Sequence, residues 1–313
     1  MKFYVKKIIT LIITLLLVSM LTFIAFQVIP GDSALSKLGI DATEEQVEAL
    51  REAMGLNKSI PERYINFVSG AIKGDFGNSS QYSQPVTQML KERLPVTLWL
   101  AVLSIVMVIV ISIPLGILSA RKEDGFIDRF VSFLSQVCMA IPPFFLGIML
   151  TLLFGIILKW FVPGKYVAPN ENFLEFIKYL FYPALAVSLP KIAMTVKFLR
   201  SSILRELHLD YVRTAKSKGS SGERILWRHV LKNALIPVIT FMGMVIADLF
   251  AGSIVIEQVF NLPGLGRLLV VAISNRDFNV VQAAVLYIAA IVIFVNFIVD
   301  ILYQVLDPRV RIS

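Results

Sequence analysis

Three runs without a charged residue constrain this chain more than any other feature: residues 8–31, 94–120 and 130–158, which are 24, 27 and 29 residues long. A helix needs about 20 consecutive apolar residues to cross a bilayer, and in lipid the backbone polar groups must be satisfied internally. Runs of this length therefore read as spanning helices. Composition agrees: 57% of residues are hydrophobic and 17% charged, with a mean hydropathy of +0.75, too apolar for an ordinary soluble domain. The first run follows Lys2, Lys6 and Lys7 in the manner of a signal peptide, but it exceeds the 7–15 apolar residues of such segments, so it reads as a retained first helix.

The other spans are less plain. Pro95, Pro114 and Pro142-Pro143 interrupt the second and third runs and suggest a bundle with kinked helices. A fourth span over residues 179–196 contains only 12 uncharged residues before Lys191. It is accepted because the charge distribution requires it. A fifth covers about 235–256 and carries Asp248, and a sixth runs from 278 to about 306. The fold class is all-α, polytopic, with six transmembrane helices.

Net charge is +8, but the Lys and Arg lie in loops between apolar runs rather than on a face interleaved with aromatics, which argues against nucleic acid and for topology. Under six spans, 18 Lys/Arg fall on the side of the N-terminus and residues 191–232, against 5 in the short loops opposite. Both termini are expected in the cytoplasm.

Between the first and second spans, residues 32–93 form a charged extracytoplasmic insertion with short helices. Thr43 and Gln46 have capping-box spacing, Val47, Leu50 and Met54 recur at helical period, and Gly55 is the stop. Tyr64, Phe67, Val68 and Ile72 suggest a second helix. The expected division is 1–31 (first helix), 32–93 (insertion), 94–306 (transmembrane domain with a cytoplasmic loop at 198–235) and 307–313 (cytoplasmic tail).

Several chemistries are absent. No G-x-x-x-x-G-K-[ST] occurs, so the chain does not cradle ATP phosphates in the usual way; the only histidines are His208 and His229, without H-E-x-x-H. Cys138 is the single cysteine, so no disulfide or Cys-based metal site forms within the chain. Ser104, Ser112, Ser188 and Asp248 lie in spans, where serine is an ordinary packing residue and Asp248 has no obvious carboxylate partner. No catalytic residue and no metal site is assigned.

Residues 198–235 hold a different signal. Ile203, Leu207, Tyr211, Val212 and Ala215 recur on one helical face before Gly219, and Leu226, Val230 and Leu231 with Trp227 do so after Gly222. Arg213, Lys216, Lys218, Arg224, Arg228 and Lys232 surround them. Two short amphipathic helices at a glycine turn, projecting from the membrane, are expected, with Gly219 at positive φ.

Arg213-Thr-Ala-Lys-Ser-Lys-Gly219, followed by Asn233-Ala-Leu-Ile-Pro237, resembles the cytoplasmic "EAA" loop of the permease subunits of binding-protein-dependent ABC importers, with Arg-Thr-Ala where the consensus has Glu-Ala-Ala. Nearly the whole chain resembles the dipeptide/oligopeptide/nickel subfamily, B-type subunit. The further matches are Ile29-Pro-Gly-Asp32, 56–77, Arg93-Leu-Pro-Val-Thr97, Ile113-Pro-Leu-Gly116, Asp210-Tyr-Val-Arg-Thr-Ala215, Val259-Phe260, Leu262-Pro-Gly-Leu-Gly266, Arg276-Asp277, Val281-Gln282 and Leu306-Asp-Pro-Arg309.

The resemblance implies a type I importer permease fold in a bacterial or archaeal cytoplasmic (inner) membrane. It also implies a second permease subunit, two cytoplasmic ATP-binding subunits that carry ATP and Mg, and an extracytoplasmic solute-binding protein; this chain itself would hold no cofactor. Tyr211, Arg213, Thr214, Ala215, Lys216 and Gly219 would couple it to the ATPases. The implied cargo is peptide, with nickel or another metal chelate as the alternative. A non-transporting receptor or anchor is the alternative of a different class. Asp248 departs from the subfamily pattern, and two readings stand: a path-lining carboxylate for a cationic cargo group, or a structural pair with the partner subunit. Asn296 and Asp300 read as packing and helix-end residues.

Overall fold

The computed structural model describes residues 2–28, 38, 42–53 and 57–306. The Ile29-Pro-Gly-Asp32 stretch, Met54 and the Gly55 stop, the Asp307-Pro-Arg309 ending and the tail 307–313 lie outside the described residues. Among those described, the regular structure is helical. The helices are α1 (Lys2–Val28), α2 (Glu44–Ala53), α3 (Ile60–Ile72), α4 (Val86–Arg121), α5 (Phe126–Ala140), α6 (Pro143–Ile157, its second half a π-helix), α7 (Phe173–Leu207), α8 (Asp210–Ser217), α9 (Gly222–Val259), α10 (Leu265–Ser274) and α11 (Phe278–Leu306). Five of them are long and apolar enough to cross a membrane, and the bent pair α5–α6, counted as one broken span, brings the number to six. The protein is an all-α, multi-pass membrane protein.

Proline acts in two ways. Helix α4 runs through Pro95 and Pro114 without a break, and α7 through Pro183 and Pro190. A single proline removes one hydrogen bond from a ladder that tertiary packing can hold together. At Pro142-Pro143 two donors are lost in succession, and each proline pushes the residue before it out of the helical region. Ile141 (ψ 126°) and Pro142 (ψ 142°) are both extended, and α5 and α6 meet at 101°. The third charge-free run is thus a sharply broken span rather than one kinked helix.

The chain packs as two compact units. In the unit of Met1–Thr97 and Pro263–Phe294, α2 starts at the expected capping box: Gln46 N–H donates to Thr43 Oγ1 (3.3 Å) and Thr43 N–H to Gln46 Oε1 (3.1 Å). Helix α3 joins α1 through the Ser19–Tyr64 hydroxyl pair (2.9 Å), and a series of ring contacts runs from Phe23 through Phe67 and Phe76 to Tyr287. Beneath it Val86, Leu90, Leu265, Val280 and Val281 form a core.

Two of the stretches matched to the subfamily meet in this unit, where Leu265 N–H donates to Thr97 Oγ1 (2.8 Å). Asp277, 1% exposed, accepts from Ser79 Oγ and from the amides of Ser80 (3.2 Å) and Gln81 (3.3 Å). That carboxylate fixes the loop before α4 by satisfying donors that burial would otherwise leave unpaired.

In the unit of Leu98–Leu262 and Val295–Ser313, α7 is the central helix and packs on α5, α6 and α9. Its mean hydropathy is the lowest of the long spans, and it is the only one of them with most of its apolar stretch buried in the protein. The low value has a cause. Hydropathy reports what a helix needs where it meets lipid, and α7 meets mostly protein. Packing against it is close: a Cβ on Gly116 would sit 2.9 Å from Leu199 Cδ2.

Candidate functional site: a basic handle and two ion pairs

Helix α7 ends at Leu207, and the chain turns through His208 and Leu209 into the short helix α8. Val212, fully buried, seats α8 on a core of Ile117, Leu199, Ile203, Ile225, Val230 and Ala234, and Tyr211 and Ala215 pack half-buried beside it. Tyr211 Oη donates to Glu206 (2.8 Å). Burial first, and then the adjacent Glu206 carboxylate, push its phenol above the ordinary value, so the hydroxyl stays a neutral donor. Arg213, Thr214, Lys216 and Gly219 face outward. The Arg213–Asp210 pair (3.5 Å) is 78% and 94% exposed, so it adds little stability.

The turn after α8 follows from hydrogen bonding. Ser220 N–H reaches the Ala215 carbonyl (3.2 Å) and Gly219 N–H the Lys216 carbonyl (2.9 Å), a Schellman closure that satisfies the last carbonyls of the helix. It requires a left-handed residue at its centre, and Gly219 has φ +79°. A Cβ at Gly219 would meet nothing within 4 Å, so backbone conformation rather than space favours glycine there. Ser221 then caps the next helix, its Oγ accepting from Arg224 N–H (3.4 Å).

The expected second short helix is not separate. Residues from Gly222 run through a π-helical turn at Leu226–Val230 and past Pro237 into the fifth span as one helix, α9. The handle is therefore one short helix held between two long ones. Trp227, 52% exposed, and the exposed Arg228 lie on the stem of α9.

Asp248 stands apart from the handle, 26 residues along α9 from Gly222, or about 39 Å at 1.5 Å per residue. Its carboxylate is bonded to Lys191 Nζ of α7 at 2.8 Å. The charge that weakened the fourth span and the charge that interrupted the fifth are therefore partners. Asp248 is thus paired within its own chain.

A second pair escaped sequence reasoning. Asp128 of α5 takes Arg200 of α7 in a bidentate bridge, both contacts 2.6 Å, and also accepts from Ser119 Oγ and the Asp124 amide (2.9 Å). The signal was an acid two residues before a charge-free run, in a loop that also holds Arg121, Lys122 and Arg129. Among the described residues, no group of His, Cys, Asp or Glu is arranged to hold a metal ion.

The chain matches known proteins over nearly its whole length. Residues 112–312 match the family described as the binding-protein-dependent transport system inner membrane component, and residues 1–101 match the N-terminal region of the same kind of protein. The chain is 34% identical to a probable peptide ABC transporter permease protein of Sinorhizobium fredii over 309 residues, 99% of each chain. It is 36% identical to a glutathione transport system permease protein of Pectobacterium atrosepticum (99% of each chain) and 36% identical to an oligopeptide transport system permease protein of Bacillus subtilis (95% of each).

Proposed function

We infer the function from one premise: the chain belongs to the family of binding-protein-dependent transport system inner membrane components. It is a permease subunit of an importer and works with other ABC transporter components. Its cargo is peptide, a reading supported by the peptide, oligopeptide and glutathione transport named for relatives that it matches from end to end.

In the assembled importer it forms half of the translocation path beside a second permease chain, with an extracytoplasmic binding protein delivering cargo. Two cytoplasmic subunits bind ATP and Mg, since this sequence carries no phosphate loop. Both termini and the handle lie in the cytoplasm of a prokaryotic inner membrane, the side with 18 of the Lys and Arg.

The observation that carries the coupling role is the handle itself. Val212 anchors α8 between two spanning helices, while Arg213, Thr214, Lys216 and the Gly219 turn face outward for an ATPase subunit. A rigid element held at both ends by spanning helices passes motion at its surface into the bundle, so ATP-driven movement below biases the two states of the path above.

Gly219→Pro removes the N–H that closes the turn and imposes a negative φ. It is expected to abolish cargo-stimulated ATP hydrolysis by the assembled complex while membrane insertion persists. Gly219→Asn, which tolerates the left-handed region, is expected to retain most of that stimulation. Normal coupling in the proline variant would overturn the role given to the handle.

A further inference from the structure

Lys191 and Asp248 meet near the middle of two spanning helices, and their surroundings differ from those of a buried structural bridge. The Asp248 side chain is 58% exposed and that of Lys191 17%, and among the described residues one contact holds them, Nζ to Oδ2 at 2.8 Å. The second carboxylate oxygen is open. On α9, Asp248 belongs to an exposed stripe of Thr240, Met244, Ala251 and Val255, spaced at three and four residues, and it is the only charge on that stripe. A carboxylate this open is too costly to leave against hydrocarbon, so the stripe faces the second permease chain or the passage that the two chains enclose.

We propose that Lys191 and Asp248 form a subsite for the two ends of a zwitterionic peptide, the ammonium group going to Asp248 and the terminal carboxylate to Lys191. The inference rests on the peptide-import reading and deepens it. A lone carboxylate in the path would attract any cation. A neutral pair does not, because a cation or anion binding alone leaves the other member without its partner.

A peptide with both ends free satisfies each member as it separates them. One protein contact is exchanged for two ligand contacts, with no net charge added to the membrane interior. The flexible Lys191 stem lets Nζ swing away from Oδ2 to span the distance between peptide ends. The subsite therefore recognises backbone termini, which all linear peptides share, and leaves side chains unread.

The test is equilibrium dialysis of the complete permease–ATPase complex in lipid nanodiscs against radiolabelled trialanine, N-acetyl-trialanine and trialanine amide. The unaltered complex is expected to favour the free peptide over either capped form by about tenfold, the size of one charge-assisted hydrogen bond. Asp248→Asn should erase the preference against the acetylated peptide only, and Lys191→Met the preference against the amide only. A purely structural pair would not divide the two effects in this way.

Because each single variant strands one charge, the double variant Lys191→Met/Asp248→Asn serves as the folding control and should bind all three peptides equally. Preferences that change together in both single variants, or that survive in the double variant, would overturn the subsite. So would absence of trialanine binding in a complex whose proteoliposomes, supplied with the binding protein and ATP, still take up trialanine; peptide import would then stand without this subsite. Absence of that uptake as well would remove the import reading together with the inference.

Discussion

Arg200 and Lys191 are nine residues apart on α7, about two and a half turns, so they point to opposite faces of one helix, and each meets a carboxylate. The two meetings differ in kind. Asp128 is 4% exposed and takes both arms of the guanidinium as well as a hydroxyl and an amide. Asp248 is 58% exposed and takes one lysine.

The first arrangement satisfies a buried charge so fully that separating it strands several groups at once; the second leaves acceptor capacity unused. One pair fastens α5 to α7 about ten residues before the handle begins, which steadies the stem of the handle. The other is free to exchange partners. Equal formal charges on one helix therefore serve as a rivet and as an open contact, and the difference lies in how many donors surround the carboxylate.

That contrast can be broken by substitution. Asp128→Ala should have the largest effect, a loss of about 3–5 kcal/mol, because the buried carboxylate is the shared acceptor of Arg200, Ser119 and the Asp124 amide and all of them lose it together; thermal unfolding of the purified complex reads it. Arg200→Lys keeps the charge but loses the planar fork, and a loss of about 1–2 kcal/mol is expected in the same measurement. Asp248→Asn should be the mildest, under about 1 kcal/mol, since the amide oxygen can still accept from Lys191 Nζ and the carboxylate it replaces has a single protein contact. If Asp248→Asn destabilised the complex as much as Asp128→Ala, the division into fixed and exchangeable pairs would fail.

Much of the handle was legible in the sequence. The apolar spacing of Tyr211, Val212 and Ala215 identified the face that is buried or half-buried, and Gly219 stood out as the turn residue, because both signals are local and follow from helix period and backbone freedom. The merging of residues 222–231 into the fifth span was not legible, since a proline and a cluster of charges look like a boundary in one dimension. Pro142-Pro143 announced a kink, but its 101° angle depends on which helices receive the two arms. Asp277 could be noted in the sequence, yet its hold on Ser79, Ser80 and Gln81 joins residues about 200 positions apart.

The sequence by itself determined that this is a helical membrane protein with a basic handle and no phosphate loop, because chain length in lipid, charge and helical period are properties of contiguous residues. Tertiary structure alone decided which charges are partners. Lys191 made the fourth span look weak and Asp248 made the fifth look interrupted, and each is explained only by the other, 57 residues away. An ion pair across helices leaves no periodic trace along the chain: its stability depends on distance and solvation in three dimensions, and these exist only after the helices have packed.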